Sequence, residues 1–317
     1  MTGGEPIATQ TAGTARDQIA GLRETLTLRA KSLIVTIYGD ALMPRGGSCW
    51  LGSLIGLVEP LGLSERMVRT AVYRLSQDNL LTSEQEGRRS YYALTAEGRR
   101  QFESAQRRIY ALPERSWDGG WLFVLLGDEV PTGKRDALKR ELTFQGFATL
   151  APMLFAHPGA EAGPARRSIA AHGLEDFALT LQATSAEAAT LTPLRRIVAR
   201  AWDLDAMDAQ YRAFLEHFQP VMALVAGGVQ PTPAEAFLLR TLLIHDYRRI
   251  LLRDPGLPPE LLPKDWSGIA ANTLAADLYR HLAPIAERHL DHAVETLDGP
   301  LPPVSDFFFD RFGGLSN

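Results

Sequence analysis

The chain has 317 residues, of which 45% are apolar, enough to form sizeable hydrophobic cores in two or three domains. Its formal net charge is only −4, so total charge neither requires nor excludes a nucleic-acid partner. Because Cys49 is the single cysteine, an internal disulfide framework is excluded.

Several function classes are disfavoured by simple patterns. The sequence has no run of the roughly 18 apolar residues that a membrane helix needs, and no basic N-terminal region followed by an apolar signal core. We therefore predict a cytoplasmic protein with no membrane partner. Cys49 lies beside Trp50 in an apolar run, which favours packing over thiol chemistry.

Charge is distributed unevenly along the chain. Residues 1–112 contain 14 Lys and Arg against 11 Asp and Glu, which leaves 19 against 26 for the remainder. This asymmetry permits a nucleic-acid partner for the first part, although an ordinary solvated surface explains it equally well.

The first elements in chain order are a tail and a helix. Residues 1–26 begin rich in Gly, Thr and Ala without periodicity, which predicts a mobile tail. In the segment KSLIVTIYGDAL, Leu33, Ile34, Ile37 and Tyr38 then form one apolar helical stripe. A domain is predicted to begin here.

A second short helix is predicted in WLGSLIGLVEPLG, starting at Trp50, before Pro60 and Gly62 break the chain. Ser64 is a good N-cap, and Glu65 suits the positive end of the next helix, which should begin near residue 65. Two helices joined by a short break indicate a helix-turn-helix.

The next helix lies in LGLSERMVRTAVYRLSQDNLL and has two contrasting faces. Val68, Ala71, Val72 and Leu75 follow helical spacing and predict a buried face. The opposite face is rich in hydrogen-bond donors. Its members are Arg66, Arg69, Thr70, Tyr73 and Gln77.

A hairpin is predicted after this helix, in LLTSEQEGRRSYYALTAEG, with its turn at Glu86 and Gly87. Arg88 and Arg89 occupy the tip, and Thr95 caps a further helix. A hairpin that directly follows a recognition helix is typical of a wing, whose arginines reach phosphates or a minor groove. The alternative is an exposed hairpin with solubilising charges.

Residues 113–187 read as a small α/β domain of the ferredoxin-like kind, because strand and helix patterns alternate. Asp128, at the end of the first strand, could hold a metal, but it lacks partners at ligand spacing, which favours a turn-capping or solvated carboxylate. The predicted elements are a strand in WLFVLLGDEVP, a helix in TGKRDALKRELTFQG, an extended segment in FATLAPMLFAHPG and a strand in FALTLQAT.

Residues 188–317 are helical in pattern, with one long helix expected from about Ala234 to Arg253. Cations at its C-terminal end are either helix-end charges or ligands for an anion. The triplet His281, His289 and His292 is more typical of solvated helix faces than of a metal site. The candidate anion-binding residues are His245, Arg248, Arg249 and Arg253, with Trp266 as a candidate wall of an apolar pocket or a core residue.

The sequence contains no nucleophile elbow, phosphate loop, dinucleotide fingerprint or cysteine metal cluster. We therefore predict no catalytic residues, no metal and no cofactor. This removes the usual positive evidence for an enzyme without disproving one.

The chain resembles the PaaX family of bacterial transcriptional repressors over about Leu28–Thr296. The resemblance is carried by KSLIVTIYGDAL, LGLSERMVRTAVYRLSQDNLL, GRRSYYALTAEG and especially HDYRRILLRDPGLPPELLPKDWSG. It implies an α+β multidomain protein: a winged helix-turn-helix (27–112), a central ferredoxin-like domain similar to Cas2 (113–187), and a helical C-terminal domain (188–317) for effector binding or dimerisation.

The resemblance further implies control of phenylacetate or related aromatic catabolism, with repression relieved by an aryl-CoA thioester such as phenylacetyl-CoA. On this hypothesis a homodimer binds double-stranded operator DNA, since a symmetric protein naturally reads an inverted repeat. Arg69 and Tyr73 should read bases, whereas four other arginines should contact phosphates. The predicted DNA-binding residues are Ser64, Arg66, Arg69, Thr70, Tyr73, Arg74, Gln77, Arg88 and Arg89.

Two alternatives remain open at this point. The Cas2-like centre is compatible with a metal-dependent nuclease that uses Asp128, although the sequence offers no clear second ligand. The chain could also be a constitutive DNA-organising protein, in which the long C-terminal region would only dimerise.

Overall fold

The computed structural model describes residues 14–111, 117–184 and 191–315. These residues form two compact units, each discontinuous in sequence. Unit 1 comprises the described residues within 1–111, 214–248 and 272–317, and unit 2 comprises those within 112–213 and 249–271.

The N-terminal part contains five helices and three strands among its described residues. They are α1 (Ala15–Thr25), α2 (Ala30–Ile37), a π-helical turn (Tyr38–Leu42), β1 (Ser48–Trp50), α3 (Leu51–Val58), α4 (Glu65–Gln77), β2 (Leu81–Glu86), β3 (Arg89–Leu94) and α5 (Ala96–Ile109).

Helix α1 corrects the prediction of a tail over residues 1–26. Thr14 accepts a hydrogen bond from the Asp17 amide while the Asp17 side chain accepts one from the Thr14 amide, which is a capping box. Ile19 and Leu22 are buried. The aperiodic stretch that suggested a tail is therefore shorter than predicted, and its first 13 residues lie outside the described part of the chain.

The predicted two-faced helix is confirmed as α4. Val68, Ala71, Val72 and Leu75 are all buried. Ser64 is the N-cap and accepts a hydrogen bond from the Met67 amide. Helix α2 packs against α4, so the apolar stripes of the two helices share one core.

The helix before α4 begins one residue later than predicted. Trp50 has extended backbone angles and pairs with Tyr91 across the β1–β3 ladder, so α3 starts at Leu51. The predicted hairpin is confirmed as β2 and β3, which lie in a sheet of strand order β1-β3-β2. Gly87 has a φ of 59° in its two-residue turn, a conformation that glycine adopts without strain.

The start of α5 lies very close to the backbone that precedes the hairpin. Thr95 caps α5 as predicted, and Gly98 faces the carbonyl oxygen of Leu80. A Cβ atom at residue 98 would lie 2.3 Å from that oxygen, closer than atoms can pack.

We expect Gly98→Ala to lower the free energy of unfolding by about 1–3 kcal/mol, because α5 and the hairpin must separate to admit the methyl group. Gly56→Ala is the matched control. Gly56 also lies in a helix but a Cβ there would meet nothing within 4 Å, so this change should stabilise α3 by about 0.5–1 kcal/mol. Urea denaturation of both variants checks the difference, and equal effects would contradict it.

The central part forms an antiparallel sheet of strand order β5-β6-β4-β7. Buried Leu122 and Val124 of its first strand pack with Leu138 and Leu142 of its first helix. The elements in chain order are β4 (Gly120–Leu126), α6 (Thr132–Phe144), β5 (Ala148–Ala151), β6 (Leu154–Pro158), α7 (Ala162–Ala171) and β7 (Ala178–Thr184).

The single extended segment predicted in FATLAPMLFAHPG is instead the two paired strands β5 and β6. Met153, in the turn between them, has a φ of 66°. Pro152 favours a turn, but without a Gly or Asn beside it the sequence pattern does not distinguish one extended segment from two strands.

The described C-terminal part is helical apart from one short hairpin. Its long helix α10 runs from Pro233 to Leu251. It therefore begins one residue earlier and ends two residues earlier than predicted. The elements are α8 (Leu191–Ala201), α9 (Leu204–Ala226), α10 (Pro233–Leu251), α11 (Ser267–Ala293), β8 (Glu295–Thr296), β9 (Gly299–Pro300) and α12 (Asp306–Phe309).

A buried ion network in unit 1 joins the N-terminal elements to the C-terminal ones. Asp40 is 2% exposed and lies 2.9 Å from the Arg240 guanidinium and 3.2 Å from that of Arg311. Tyr110 and Tyr279 both donate hydrogen bonds to the Asp40 carboxylate. Burial raises the pKa of Tyr279, which keeps its hydroxyl a donor.

The network continues through Glu287, which accepts hydrogen bonds from Arg240 and Arg45. Arg45 also pairs with Asp291 and donates to the backbone carbonyl of Pro302. Three buried arginines are thus matched by three carboxylates. Unit 1 therefore contains residues from both predicted segments, 27–112 and 188–317. The buried charges of one segment are neutralised by those of the other, which leaves none of them unpaired in the core.

Candidate nucleic-acid interface

The outer face of α4 is mostly polar, with Met67 as an exposed apolar side chain. All nine predicted DNA-binding residues, on α4, its cap and the β2–β3 turn, are exposed, and Tyr73 is 64% exposed. The buried face of the same helix fixes their direction, because residues opposite Val68 and Leu75 must point away from the core.

Two of these side chains have partners within the helix. The Arg69 guanidinium bonds to the Glu65 carboxylate at 2.7 Å, and the Thr70 hydroxyl donates to the Arg66 carbonyl oxygen. Arg66 and Arg74 form no ion pair with any residue that the structure describes. The surface thus offers uncompensated guanidinium groups, which are well suited to phosphate oxygens.

The β2–β3 turn carries two arginines in different environments. Arg88 is an exposed turn residue. Arg89 lies over the Trp50 ring, with its guanidinium carbon 4.5 Å from the ring centre, and pairs with Glu295 of β8. The sequence predicts both arginines but not the partners of Arg89, Trp50 and Glu295, since nothing local in the sequence links β8 to the hairpin.

The five candidate effector residues are divided between the two units. His245 is fully buried, its Nδ1 is 3.0 Å from the Thr36 hydroxyl, and Arg248 donates to the same hydroxyl. Both belong to unit 1.

The other three candidates belong to unit 2. Arg249 and Arg253 are exposed, whereas Trp266 is 7% exposed and contacts the Tyr211 ring edge to face. The alternatives given for these residues, a core tryptophan and helix-end cations, fit these surroundings, and their role in effector binding stays a prediction.

The residues considered for thiol or metal chemistry are Cys49, Asp128 and three histidines. Cys49 is buried, and burial raises the pKa of its thiol to about 12, as expected for a packing residue. Asp128 is exposed after β4, and His281 and His292 are exposed on α11. Partial burial, with a smaller contribution from His292, lowers the pKa of His289, whose ring contacts Phe237.

Within the described ranges, no group of three His, Cys, Asp or Glu side chains is arranged to hold a metal ion. In the same ranges, the helices are all too short or too polar to cross a bilayer.

Comparison with known proteins gives matches along most of the chain. Three family models match: "PaaX-like protein" at residues 29–98, "PaaX protein central Cas2-like domain" at 114–194, and "PaaX-like protein C-terminal domain" at 202–292. The chain is 39% identical over 286 residues to "Transcriptional repressor PaaX" of Escherichia coli (strain K12), covering 90% of each protein.

A solved structure shares the fold. It is an uncharacterized protein from Mycobacterium tuberculosis, with a TM-score of 0.51 and 20% sequence identity. The match covers 83% of this chain and 99% of that protein. At this identity the likeness concerns the fold alone.

Proposed function

This chain belongs to the PaaX family of transcriptional repressors, and from that premise we propose that it represses transcription by binding double-stranded operator DNA. The observation that carries the proposal is the exposed, donor-rich face of α4 opposite its buried face. In this proposal α3 and α4 form a helix-turn-helix, and the β2–β3 hairpin is its wing.

The proposal assigns distinct tasks to the exposed side chains. α4 enters the major groove, where Arg69 and Tyr73 read or position on bases, with Ser64, Thr70 and Gln77 alongside. Arg66 and Arg74 contact phosphates, as do the wing residues Arg88 and Arg89. The stack of Arg89 on Trp50 supports this assignment, because it holds the wing guanidinium in a defined direction.

The repressor acts as a homodimer in this proposal, since two copies of α4 related by a two-fold axis match an inverted repeat. The central β-α-β-β-α-β order supports a ferredoxin-like, Cas2-like domain between the reading and C-terminal segments. The family membership supports the further proposal that it controls a phenylacetate-type catabolic operon.

We expect Arg69→Ala to weaken operator binding by about 1–3 kcal/mol and to relax specificity at one base pair, because a base-reading guanidinium is lost. Footprinting and titration on the chain's own promoter region check this. Arg100→Ala is the matched control, since Arg100 is also exposed and paired with a glutamate on its own helix, but lies on α5. Unchanged operator affinity in Arg69→Ala would remove Arg69 from the reading surface.

An aryl-CoA thioester such as phenylacetyl-CoA is the proposed signal that releases the operator. A ligand can shift the repressor away from its DNA-binding state only if it binds the other state more tightly. Its phosphates would seek cations and its acyl group an apolar pocket. The candidates for these contacts are His245, Arg248, Arg249, Arg253 and Trp266.

A further inference from the structure

A cavity of about 160 Å³ lies in unit 1, lined by residues of α2, α5 and α10. Its inner wall is mostly apolar, with Phe102, Ile109 and Ile244 buried. It also includes the buried Asp40, whose carboxylate already accepts hydrogen bonds from Tyr110 and Tyr279. Val35 and Ala105 are only half-buried, so the cavity opens to solvent on one side.

The size of the cavity limits what it can hold. An apolar cavity of about 150 Å³ in another protein binds benzene, so this one matches a single six-membered ring or a branched group of similar volume. Pockets that enclose a whole cofactor-sized ligand are larger, about 300–1,000 Å³. A larger ligand would therefore place one ring-sized group inside and keep the remainder outside the opening.

The polar groups that line the cavity include several hydrogen-bond donors. Arg248 is half-exposed, with its Nε donating to the Thr36 hydroxyl at 2.8 Å and its Nη2 donating to the Ser32 carbonyl oxygen at 3.0 Å. Gln106 is half-exposed and donates to the Gly39 carbonyl oxygen, and Gln101 is exposed. This chemistry suits an oxygen acceptor attached to the ring-sized group.

We infer that this cavity is a binding site for a ring-sized apolar group that bears a carbonyl or carboxylate oxygen, with Arg248 beside that oxygen. For its regulatory meaning the inference rests on the proposed function, in which the ring belongs to the acyl part of the effector. The cavity is placed to influence DNA reading, because α2 packs against the recognition helix α4 and Arg248 joins α10 to α2. A ligand oxygen that competes for Arg248 alters that connection.

The test fills the cavity and measures the contribution of the ring. Isothermal titration compares phenylacetyl-CoA with acetyl-CoA, which lacks the ring, on the full chain. Wild type should bind phenylacetyl-CoA at least about tenfold more tightly, because the ring leaves water. In Ala105→Phe the ratio should fall towards one, since the new side chain occupies the cavity. Ser104→Phe is the matched control, because Ser104 is exposed on the same helix and does not line the cavity.

A second probe separates the cavity from the effector. Toluene, which supplies the ring alone, should raise the melting temperature of wild type and Ser104→Phe but not of Ala105→Phe. Circular dichroism verifies folding, and Ala105→Leu replaces Ala105→Phe if the latter does not fold.

Three results would contradict the inference or the proposed effector class. If phenylacetyl-CoA keeps its preference in the filled variant, or if toluene does not stabilise wild type, the inference is wrong. If toluene acts as expected but neither thioester binds wild type, the cavity stands as a ring site and the proposed effector class fails.

Discussion

Replacing Asp40 by asparagine is expected to lower the free energy of unfolding by about 3–5 kcal/mol, the largest stability change predicted here. The carboxylate is 2% exposed and faces the guanidinium groups of Arg240 and Arg311, which are also buried. Arginine stays protonated at any accessible pH, so removal of the anion leaves buried positive charges that no proton loss can relieve. Asparagine keeps the size of the side chain, but it removes the charge and replaces one acceptor oxygen by an NH2 donor that faces other donors.

Urea denaturation of wild type and Asp40→Asn measures this loss. Asp78→Asn is the control: Asp78 pairs with Lys31 at the surface, where both side chains are nearly half-exposed, and such pairs contribute about 0–1 kcal/mol. Similar losses in the two variants would show that the Asp40 network contributes no more than a surface pair.

Operator affinity is expected to fall by about four orders of magnitude between 50 and 200 mM salt, although the chain carries a net charge of −4. In the proposed dimer, about eight phosphate contacts come from the four arginines of each protomer that are proposed to make them: Arg66, Arg74, Arg88 and Arg89. Each contact contributes about −0.9 to the slope of log affinity against log salt, so the slope should be about −7. The acidic remainder of the chain does not reduce it, because counterion release depends on local contacts.

Titration of operator at four or five salt concentrations gives this slope. In Arg88→Ala, which removes two contacts per dimer, the slope should become less steep by about 2, while discrimination between operator and unrelated DNA stays unchanged. Arg108→Ala is the comparison variant, as a basic residue of α5 outside the predicted surface. A slope near −2 in wild type would contradict a binding mode based on α4 and the wing.

Individual helices and strands could be predicted where several local features of the sequence indicate the same element. In α4 the buried residues, the Ser64 cap and the outward arginines all indicate the same helix. The hairpin followed from turn chemistry at Gly87. The turn between β5 and β6 is marked only by Pro152, and Met153, which adopts positive φ there, is not a residue that favours this conformation.

Contacts between distant segments were not predictable in the same way. Arg240 in the apolar run AFLLRTLLI and Asp40 after SLIVTIYG are charges within core patterns, a signal that each needs a buried partner. The periodicity of the sequence does not identify the partner of each charge, because the pairing depends on how segments 200 residues apart in the sequence pack together. The cavity is hidden for the same reason, since Ala105 and Ile244 are unremarkable residues in their own helices.

Residues 305–312 pack against the N-terminal part of unit 1. The Ser305 amide donates to the Pro44 carbonyl oxygen and the Phe312 amide to that of Tyr110, while the fully buried Phe312 ring contacts Tyr110. During synthesis at about 5–20 residues per second, residues 1–111 therefore wait roughly 10–40 seconds before these partners are made. Throughout that interval the nascent polypeptide exposes core surface, and Asp40 lacks Arg311, one of its two guanidinium partners. The N-terminal part of unit 1 therefore completes its core only after residues 305–312 have been synthesised.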